Sequence, residues 1–121
     1  MGDLSANFSK KEFACKCGCG MITMHPGIIP ILQDLRDHFG RIQIVSGNRC
    51  RVHNTRVGGA PRSYHMLSMA ADCKFLDLEE TLPKAAYEYA CITYEGKCGF
   101  ILYPTFLHVD IRIHPYRKIQ I

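Results

Sequence analysis

The chain has 121 residues, of which 47% are hydrophobic, and a formal net charge of +4. This length predicts one domain over residues 1–121 with one hydrophobic core, and the composition excludes an intrinsically disordered chain. The mild positive charge favours an anionic partner, but the basic residues are scattered, which argues against nucleic-acid binding.

The sequence shows no segment for membrane insertion or export. No apolar run reaches the roughly 18 residues that a membrane-spanning helix requires. The first residues, MGDLS, lack the basic and then apolar regions of a secretory signal peptide. We therefore expect a protein that is made in the cytoplasm, where its cysteines stay reduced.

Two helices are predicted in the first third of the chain. Ser9 and Glu12 have the spacing of a capping box, and Gly18 and Gly20 would end the short helix that follows. A longer helix is predicted in GIIPILQDLRDHFG, which ends at its last glycine. Its apolar face consists of Ile28, Ile31, Leu32, Leu35 and Phe39.

Two buried strands are predicted in the middle of the chain. RIQIVSG (41–47) is apolar and ends at a glycine, and MAADCKF (69–75) is a second apolar run. The segment between them is rich in turn-forming residues, with one helical turn expected near His53.

The last third of the chain predicts a helix and two closing strands. Asp77 and Glu80 suggest a second capping box, and the helix would end between residues 89 and 91. GFILYP and FLHVDIRI would then form two strands joined by a bend at 103–105. This order predicts a single α+β domain with a mostly antiparallel central sheet flanked by helices.

A metal site is one interpretation of His65, Asp72 and His108. Small residues between His65 and Asp72 would allow the chain to turn back and bring these two side chains together. His108 and Asp110 share one face of the last strand, because side chains alternate along a strand. Burying both on an apolar strand is costly without a partner such as a metal ion. The spacing alone also allows ordinary hydrogen-bonded core histidines.

Four stretches, taken together, resemble the superfamily of zinc D-Ala-D-Ala carboxypeptidases and L-alanyl-D-glutamate endopeptidases, which includes the hedgehog fold. They are SGNRC (46–50), HNTRVGGAP (53–61), SYHMLSMAAD (63–72) and LHVDIR (107–112). The family pattern has Ser-Gly-Tyr-Arg, Gly-Gly-Ala, Ser-x-His-x-x-Gly-x-Ala-x-Asp and His-Val-Asp in this order. NFSKKEFAC resembles the amino terminus of the small phage-type branch.

The resemblance implies a hedgehog/DD-peptidase-like fold and one catalytic Zn²⁺. The implied metal ligands are His65, Asp72 and His108. It assigns Arg49 to the substrate carbonyl or carboxylate, and it places Ser63 and Tyr64 in the substrate pocket. The implied enzyme is a zinc-dependent carboxypeptidase or endopeptidase (a hydrolase), in which zinc activates the water that attacks the amide carbonyl.

The resemblance also implies a substrate and a setting. Enzymes of this family cleave the stem peptides of peptidoglycan, at D-Ala-D-Ala or at L-Ala-D-Glu. The protein would then be a phage endolysin, an enzyme that degrades the cell wall. It would act at the wall after release from the cytoplasm, or as part of the virion with tail or lysis partners. The sequence leaves open the bond that is cut and the oligomeric state.

The sequence departs from the family pattern around the catalytic base. Many relatives carry Glu or Asp three residues before the last histidine, where this chain has Thr105, and others carry a histidine where it has Phe106. The small branch instead has the aspartate that matches Asp110. Asp110 either accepts a proton as general base or orients His108, and the sequence leaves both roles open.

Two further departures bear on the pocket and keep a second hypothesis open. Ser68 replaces a family glycine, and it would be strained if that position requires a positive φ. Asn48 replaces a family tyrosine, which would alter the pocket. Position 105 also lacks the acid that many relatives have. These departures keep open a non-catalytic zinc-containing module that binds the wall, or a structural virion or tail component of the same fold.

The seven cysteines are an odd number, so intrachain disulfides cannot pair all of them. Cys15, Cys17 and Cys19 alternate in CKCGCG and could bind a second, structural zinc ion with Cys50 or Cys98 as fourth ligand. The usual zinc spacing is Cys-x2-Cys, which this motif lacks. We therefore favour a loop of free thiols over a second zinc site.

Overall fold

A five-stranded sheet organises the computed structural model, which describes residues 2–77 and 82–120. Its strands are β1 (Ile42–Ser46), β2 (Ala70–Phe75), β3 (Gly99–Leu102), β4 (Leu107–Asp110) and β5 (Tyr116–Ile119). Their spatial order is β1-β2-β4-β3-β5, and every neighbouring pair is antiparallel except β3 and β5. The predicted α+β class with a mostly antiparallel sheet is confirmed.

The sheet packs against three α-helices of the described chain. They are α1 (Ile28–Phe39), α2 (Arg51–Arg56) and α3 (Leu82–Thr93), with two short 3-10 helices at Lys10–Phe13 and Tyr64–Leu67. Ile28, Leu32 and Leu35 of α1 are fully buried, as their spacing predicted, and join Phe100, Leu107 and Val109 of the sheet in one core. Within residues 2–77 and 82–120, no helix is both long and apolar enough to cross a membrane.

The two predicted capping boxes have different outcomes. At the first, the Ser9 backbone N–H donates to Glu12 Oε2 at 2.6 Å, and the 3-10 helix ends at Phe13, well before the glycines. The second includes Glu80, which lies outside the described residues. Its other member, Asp77, forms an ion pair with Arg41 at 2.7 Å. The helix that follows ends at Thr93 rather than at residues 89–91.

The fifth strand was not predicted from the sequence. β5 reads Tyr-Arg-Lys-Ile, and most of its side chains are exposed, so no alternation of apolar and polar residues marks it. It is held by parallel backbone pairing with β3 and by Arg117. The Arg117 guanidinium donates to the Cys98 carbonyl at 2.7 Å and lies over the Phe100 ring. These contacts are long-range, so local patterns do not reveal them.

Strand register brings the polar residues of the sheet together. The pairing of β2 with β4 places Asp72 opposite His108 and Ala70 opposite Asp110. The pairing of β3 with β4 places Gly99 opposite the same Asp110. A Cβ atom at Gly99 would overlap the Asp110 carboxylate. The buried carboxylates therefore require both this register and the small residues that face them.

Ser68 adopts the left-handed conformation, with φ 60° and ψ 28°. Glycine, the residue of the family pattern at this position, adopts a positive φ more easily than serine does. Here the serine hydroxyl donates to Asn48 Oδ1 at 2.7 Å, and Asn48 is itself buried and donates to the Phe13 carbonyl at 2.9 Å. The side chain thus gains a hydrogen bond that offsets part of its conformational cost.

Replacing Ser68 with Ala should destabilise the protein by about 1–3 kcal/mol, because it leaves a buried amide oxygen without its donor while keeping the unfavourable φ. Replacing Ser68 with Gly loses the same bond but removes a conformational penalty of roughly 1–2 kcal/mol. Urea unfolding should therefore give the glycine variant a larger free energy of unfolding than the alanine variant. An alanine variant that is as stable as the glycine variant would contradict this account.

Candidate functional site

His65, Asp72 and His108 meet in the fold, as the sequence predicted for a metal site. They come from the second 3-10 helix, from β2 and from β4. One ligand atom of each lies within 4.8 Å of the other two. Their exposed fractions are 2%, 5% and 8%, so the three polar side chains are buried together. Such a group is costly unless its members satisfy one another or a bound cation.

His65 presents an unpaired nitrogen to this group. Its Nδ1 donates to the Gly47 carbonyl at 2.7 Å, which leaves the lone pair on Nε2. Nε2 is buried, makes no hydrogen bond within the described residues, and lies 3.3 Å from Asp72 Oδ1. Ser63 fixes the turn, because its hydroxyl accepts the His65 backbone N–H at 3.2 Å. The ring is therefore oriented with a free donor atom toward Asp72.

His108 lies between two carboxylates. Its Nδ1 is 2.9 Å from Asp72 Oδ1, and its Nε2 is 2.9 Å from Asp110 Oδ2. Burial lowers the pKa of His108, but the hydrogen bonds to Asp110 and Asp72 outweigh it and raise that pKa above its ordinary value. In the metal-free protein, the imidazole is thus readily protonated and bridges the two acids.

Asp72 remains anionic at the centre of the group. Burial raises the pKa of Asp72, but the hydrogen bond from His108 and the close approach of the His65 ring outweigh burial and hold that pKa well below its usual range. Arg49 adds a cationic neighbour, with Nη2 at 3.4 Å from Asp72 Oδ2. The carboxylate is therefore available as a ligand at neutral pH.

These donors fit a zinc ion. Two imidazoles and one carboxylate are a common ligand set for catalytic zinc, which leaves a fourth position for water or substrate. The atoms that converge are His65 Nε2, Asp72 Oδ1 and His108 Nδ1. The other nitrogen of each histidine is already bonded, to the Gly47 carbonyl and to Asp110. Metal-binding histidines usually have such a partner.

Asp110 is completely buried, and both of its oxygens are occupied. Oδ1 accepts from Arg112 Nε at 2.8 Å, and Oδ2 accepts from Arg112 Nη2 at 2.6 Å as well as from His108. Burial raises the pKa of Asp110, but the hydrogen bonds from Arg112 and His108 outweigh it and lower that pKa. This carboxylate holds His108 and Arg112 in place.

A cleft of about 520 Å³ opens beside the three ligands. The residues that the sequence assigned to the substrate all line it: Arg49, Ser63 and Tyr64. Arg62 and Arg112 add positive charge. Within residues 2–77 and 82–120, Asp72 is the only acidic side chain that lines the cleft. The cavity therefore suits a substrate that carries carboxylates.

Arg112 is a site residue that the sequence analysis missed. Its guanidinium lies 4.4 Å from the ring centres of both Tyr64 and Tyr116, and it pairs with Asp110. The alternation that placed His108 and Asp110 on one face also reaches residue 112, so the signal was present in the sequence. Tyr116 belongs to β5 and had no such signal.

The cysteines of CKCGCG are organised more closely than we expected. Cys15, Cys17 and Cys19 gather with Cys50, and their sulfur atoms all lie within 4.8 Å of one another. Cys98, the alternative fourth ligand, is not in the group. A distant segment contributes the fourth sulfur, so the four thiols form a cluster that could hold the second metal ion that we did not favour from the sequence.

The metal-free protein should lose stability as pH rises above 6.5, whereas its zinc affinity should increase. The ordinary histidine pKa is 6.5, and the folded protein raises the pKa of His108. The proton on His108 therefore stabilises the fold fully below pH 6.5, and this contribution is lost as pH rises through the raised value. Zinc requires the neutral imidazole, so deprotonation favours binding.

Urea unfolding of metal-free protein and chelator competition, both between pH 6 and 9, measure the two trends. They should run in opposite directions. A free energy of unfolding that rises with pH in the metal-free protein would show that His108 does not bridge the two carboxylates.

Comparison with known proteins agrees with the site. A model of the family described as Peptidase M15 matches residues 6–110, which include the three candidate ligands, Arg49 and Asp110. A search of curated proteins finds no match. The family match covers most of the chain, and the structure brings together a buried His-Asp-His group that fits zinc. The chain belongs to the Peptidase M15 family of metallopeptidases, within the superfamily of zinc D-Ala-D-Ala carboxypeptidases and hedgehog-like proteins.

Proposed function

We propose that this metallopeptidase hydrolyses an amide bond in the stem peptides of bacterial peptidoglycan. The observation that carries the substrate class is the pair of arginines that line the cleft beside the metal ligands, Arg49 and Arg62; Arg112 also lines the cleft, with its own fork on Asp110. Stem peptides carry free carboxylates on their D-amino acids, and the planar fork of arginine binds a carboxylate through two parallel hydrogen bonds. A positive cleft beside a zinc site therefore suits such a peptide.

Arg49 is the residue best placed to bind the reacting end of the substrate. Its Nε donates to Ser46 Oγ at 3.1 Å and its Nη1 to Asn54 Oδ1 at 3.3 Å, which fixes the plane of the guanidinium. Its Nη2 lies beside Asp72 at the edge of the cleft. From there it holds the substrate carbonyl or carboxylate and stabilises negative charge that develops on it.

Zinc held by His65, Asp72 and His108 would supply an activated water and polarise the scissile carbonyl. Asp110 supports this centre through His108. Its oxygens are occupied by Arg112 and His108, and it does not line the cleft, so it is poorly placed to take a proton from water. Of the two roles that the sequence left open for Asp110, we favour orientation of His108.

The cleft accommodates either mode of family chemistry. A D-Ala-D-Ala carboxypeptidase binds a terminal carboxylate, and an L-Ala-D-Glu endopeptidase binds the carboxylates of an internal residue. Both suit several arginines. In either case the enzyme acts at the bacterial wall, after release from the cytoplasm or as a virion component with tail or lysis partners, as a phage endolysin does.

A second candidate function is a zinc-containing module that binds the wall without cleaving it. It is favoured by the shortage of acids at the site. Asp72 is the only acidic side chain lining the cleft in the part of the chain that the structure describes, and Thr105 stands where many relatives have the base. Sedimentation with peptidoglycan, without release of peptide or D-alanine by the zinc-loaded protein, would support this candidate over the peptidase.

Replacing Asp110 with Asn should weaken zinc binding by about 10–100-fold, because His108 loses its charged partner. At saturating zinc, kcat/KM for a stem peptide should return to near the wild-type value. Chelator competition and product release measure the two quantities. Asp77→Asn is the matched control, since Asp77 also pairs with an arginine but lies on the surface away from the ligands.

The alternative role of Asp110 gives a different result. Loss of a general base costs about 100–10,000-fold in rate, and added zinc cannot restore it. A kcat/KM that stays at least 100-fold low in zinc-saturated Asp110→Asn would therefore make Asp110 the base.

Replacing Arg49 with Met should lower kcat/KM by about 100–1,000-fold while zinc remains bound at His65, Asp72 and His108. Arg49→Lys should recover only part of the loss, because a lysine keeps the charge but not the fork. Arg62→Met, which removes another cleft arginine, is the control and should have a smaller effect. Full activity in Arg49→Met would remove this residue from the proposed mechanism.

A further inference from the structure

We propose that Cys15, Cys17, Cys19 and Cys50 bind a second, structural zinc ion. Cys17 Sγ lies 3.5 Å from Cys15 Sγ and 3.5 Å from Cys50 Sγ, and all four sulfurs are within 4.8 Å of one another. Four sulfurs at about 2.3 Å from a tetrahedral zinc lie about 3.8 Å apart. The separations in the fold therefore bracket those of a tetrathiolate site.

The loop of residues 15–21 is shaped to turn three alternating side chains to one place. The Cys15 backbone N–H donates to the Met21 carbonyl at 2.8 Å, and the Gly18 N–H donates to the Cys15 carbonyl at 3.1 Å. Gly18 and Gly20 have φ values of 81° and 91°, in the region that glycine adopts most easily. Gly18, between Cys17 and Cys19, and Gly20, after Cys19, thus allow a closed loop with the thiols grouped together.

The fourth sulfur is brought to this loop by contacts that do not involve cysteine. Asn48 donates to the Phe13 carbonyl through both its backbone N–H and its side-chain amide, each at 2.9 Å. Phe13 and Asn48 are both fully buried. These bonds join the segment before Cys15 to the segment before Cys50, so the two halves of the site are held in position by the fold.

Backbone N–H groups point at two of the sulfurs. The Cys50 N–H donates to Cys15 Sγ at 3.4 Å, and the His53 N–H donates to Cys50 Sγ at 3.4 Å. Such bonds favour the thiolate form, which is the form that binds metal, and they orient the ligands from outside the coordination sphere.

A zinc ion explains the group better than disulfides do. The closest sulfur pairs are 3.5 Å apart, whereas a disulfide bond is about 2.05 Å long. Cys17 is equally close to Cys15 and to Cys50, so the geometry selects no pair. One tetrahedral ion uses all four sulfurs at once.

The site would tie the amino-terminal segment to the wall of the cleft. Cys50 directly follows Arg49, which contacts Asp72. A metal on Cys50 would therefore restrict the backbone that carries Arg49. This role concerns the folded protein and holds whether or not the cleft cleaves peptidoglycan.

Zinc content per chain, measured on protein purified with reductant and without chelator, tests the proposal. Wild type should carry two zinc ions, and Cys19→Ser and His65→Ala one each. The double variant should carry none. Cys19 is exposed, so its replacement leaves the core intact, and Cys91→Ser is the control that should keep two ions. A single zinc that Cys19→Ser retains and His65→Ala loses would overturn the proposal.

Two further readouts separate the sites from each other and from oxidation. Cobalt-substituted His65→Ala protein should show thiolate-to-cobalt charge-transfer absorption, and the double variant should not. Mass spectrometry should find seven free thiols after zinc is removed from freshly purified protein. A disulfide among the four cysteines in that protein, or no thiolate-to-cobalt absorption, would overturn the assignment. Wild-type protein that carries zinc at the four cysteines but none at His65, Asp72 and His108 would instead count against the proposed peptidase.

Discussion

The fold depends on the carboxylate of Asp72, which is buried in the sheet as an anion. A buried charge requires partners, and here two imidazoles and one guanidinium surround it. The pairing of β2 with β4 places His108 opposite it, and the turn at 63–68 returns His65 to the same point. The geometry of the metal site therefore depends on sheet register, because a shift of β2 against β4 by one residue would separate Asp72 from His108.

The segment from Gly47 to Cys50 contacts Asp72, one of its two histidine partners and the amino-terminal part of the chain. The Gly47 carbonyl orients His65, and Asn48 joins Ser68 to Phe13. The next residue, Arg49, contacts Asp72, and Cys50 completes the group of four thiols. Four consecutive residues thus orient His65, supply the cleft arginine and connect to the amino-terminal loop.

Local patterns in the sequence were sufficient for much of this arrangement. The face of α1 and the strands β1 to β4 follow from periodicity, and the three ligands from the motifs around them. The sequence named Cys50 and Cys98 as candidates for the fourth sulfur but could not choose between them, because the choice depends on a contact between Phe13 and Asn48 across 35 residues. β5 was missed because backbone pairing, rather than an apolar face, holds it to the sheet. Long-range packing decided each of these cases.

The most direct test of the central claim is anomalous diffraction at the zinc edge from crystals of the zinc-loaded protein. The account predicts a peak at bonding distance from His65 Nε2, Asp72 Oδ1 and His108 Nδ1, with His108 Nε2 still bonded to Asp110. The absence of a peak among these three residues, or zinc bound through His108 Nε2 with Asp110 as a ligand, would contradict it.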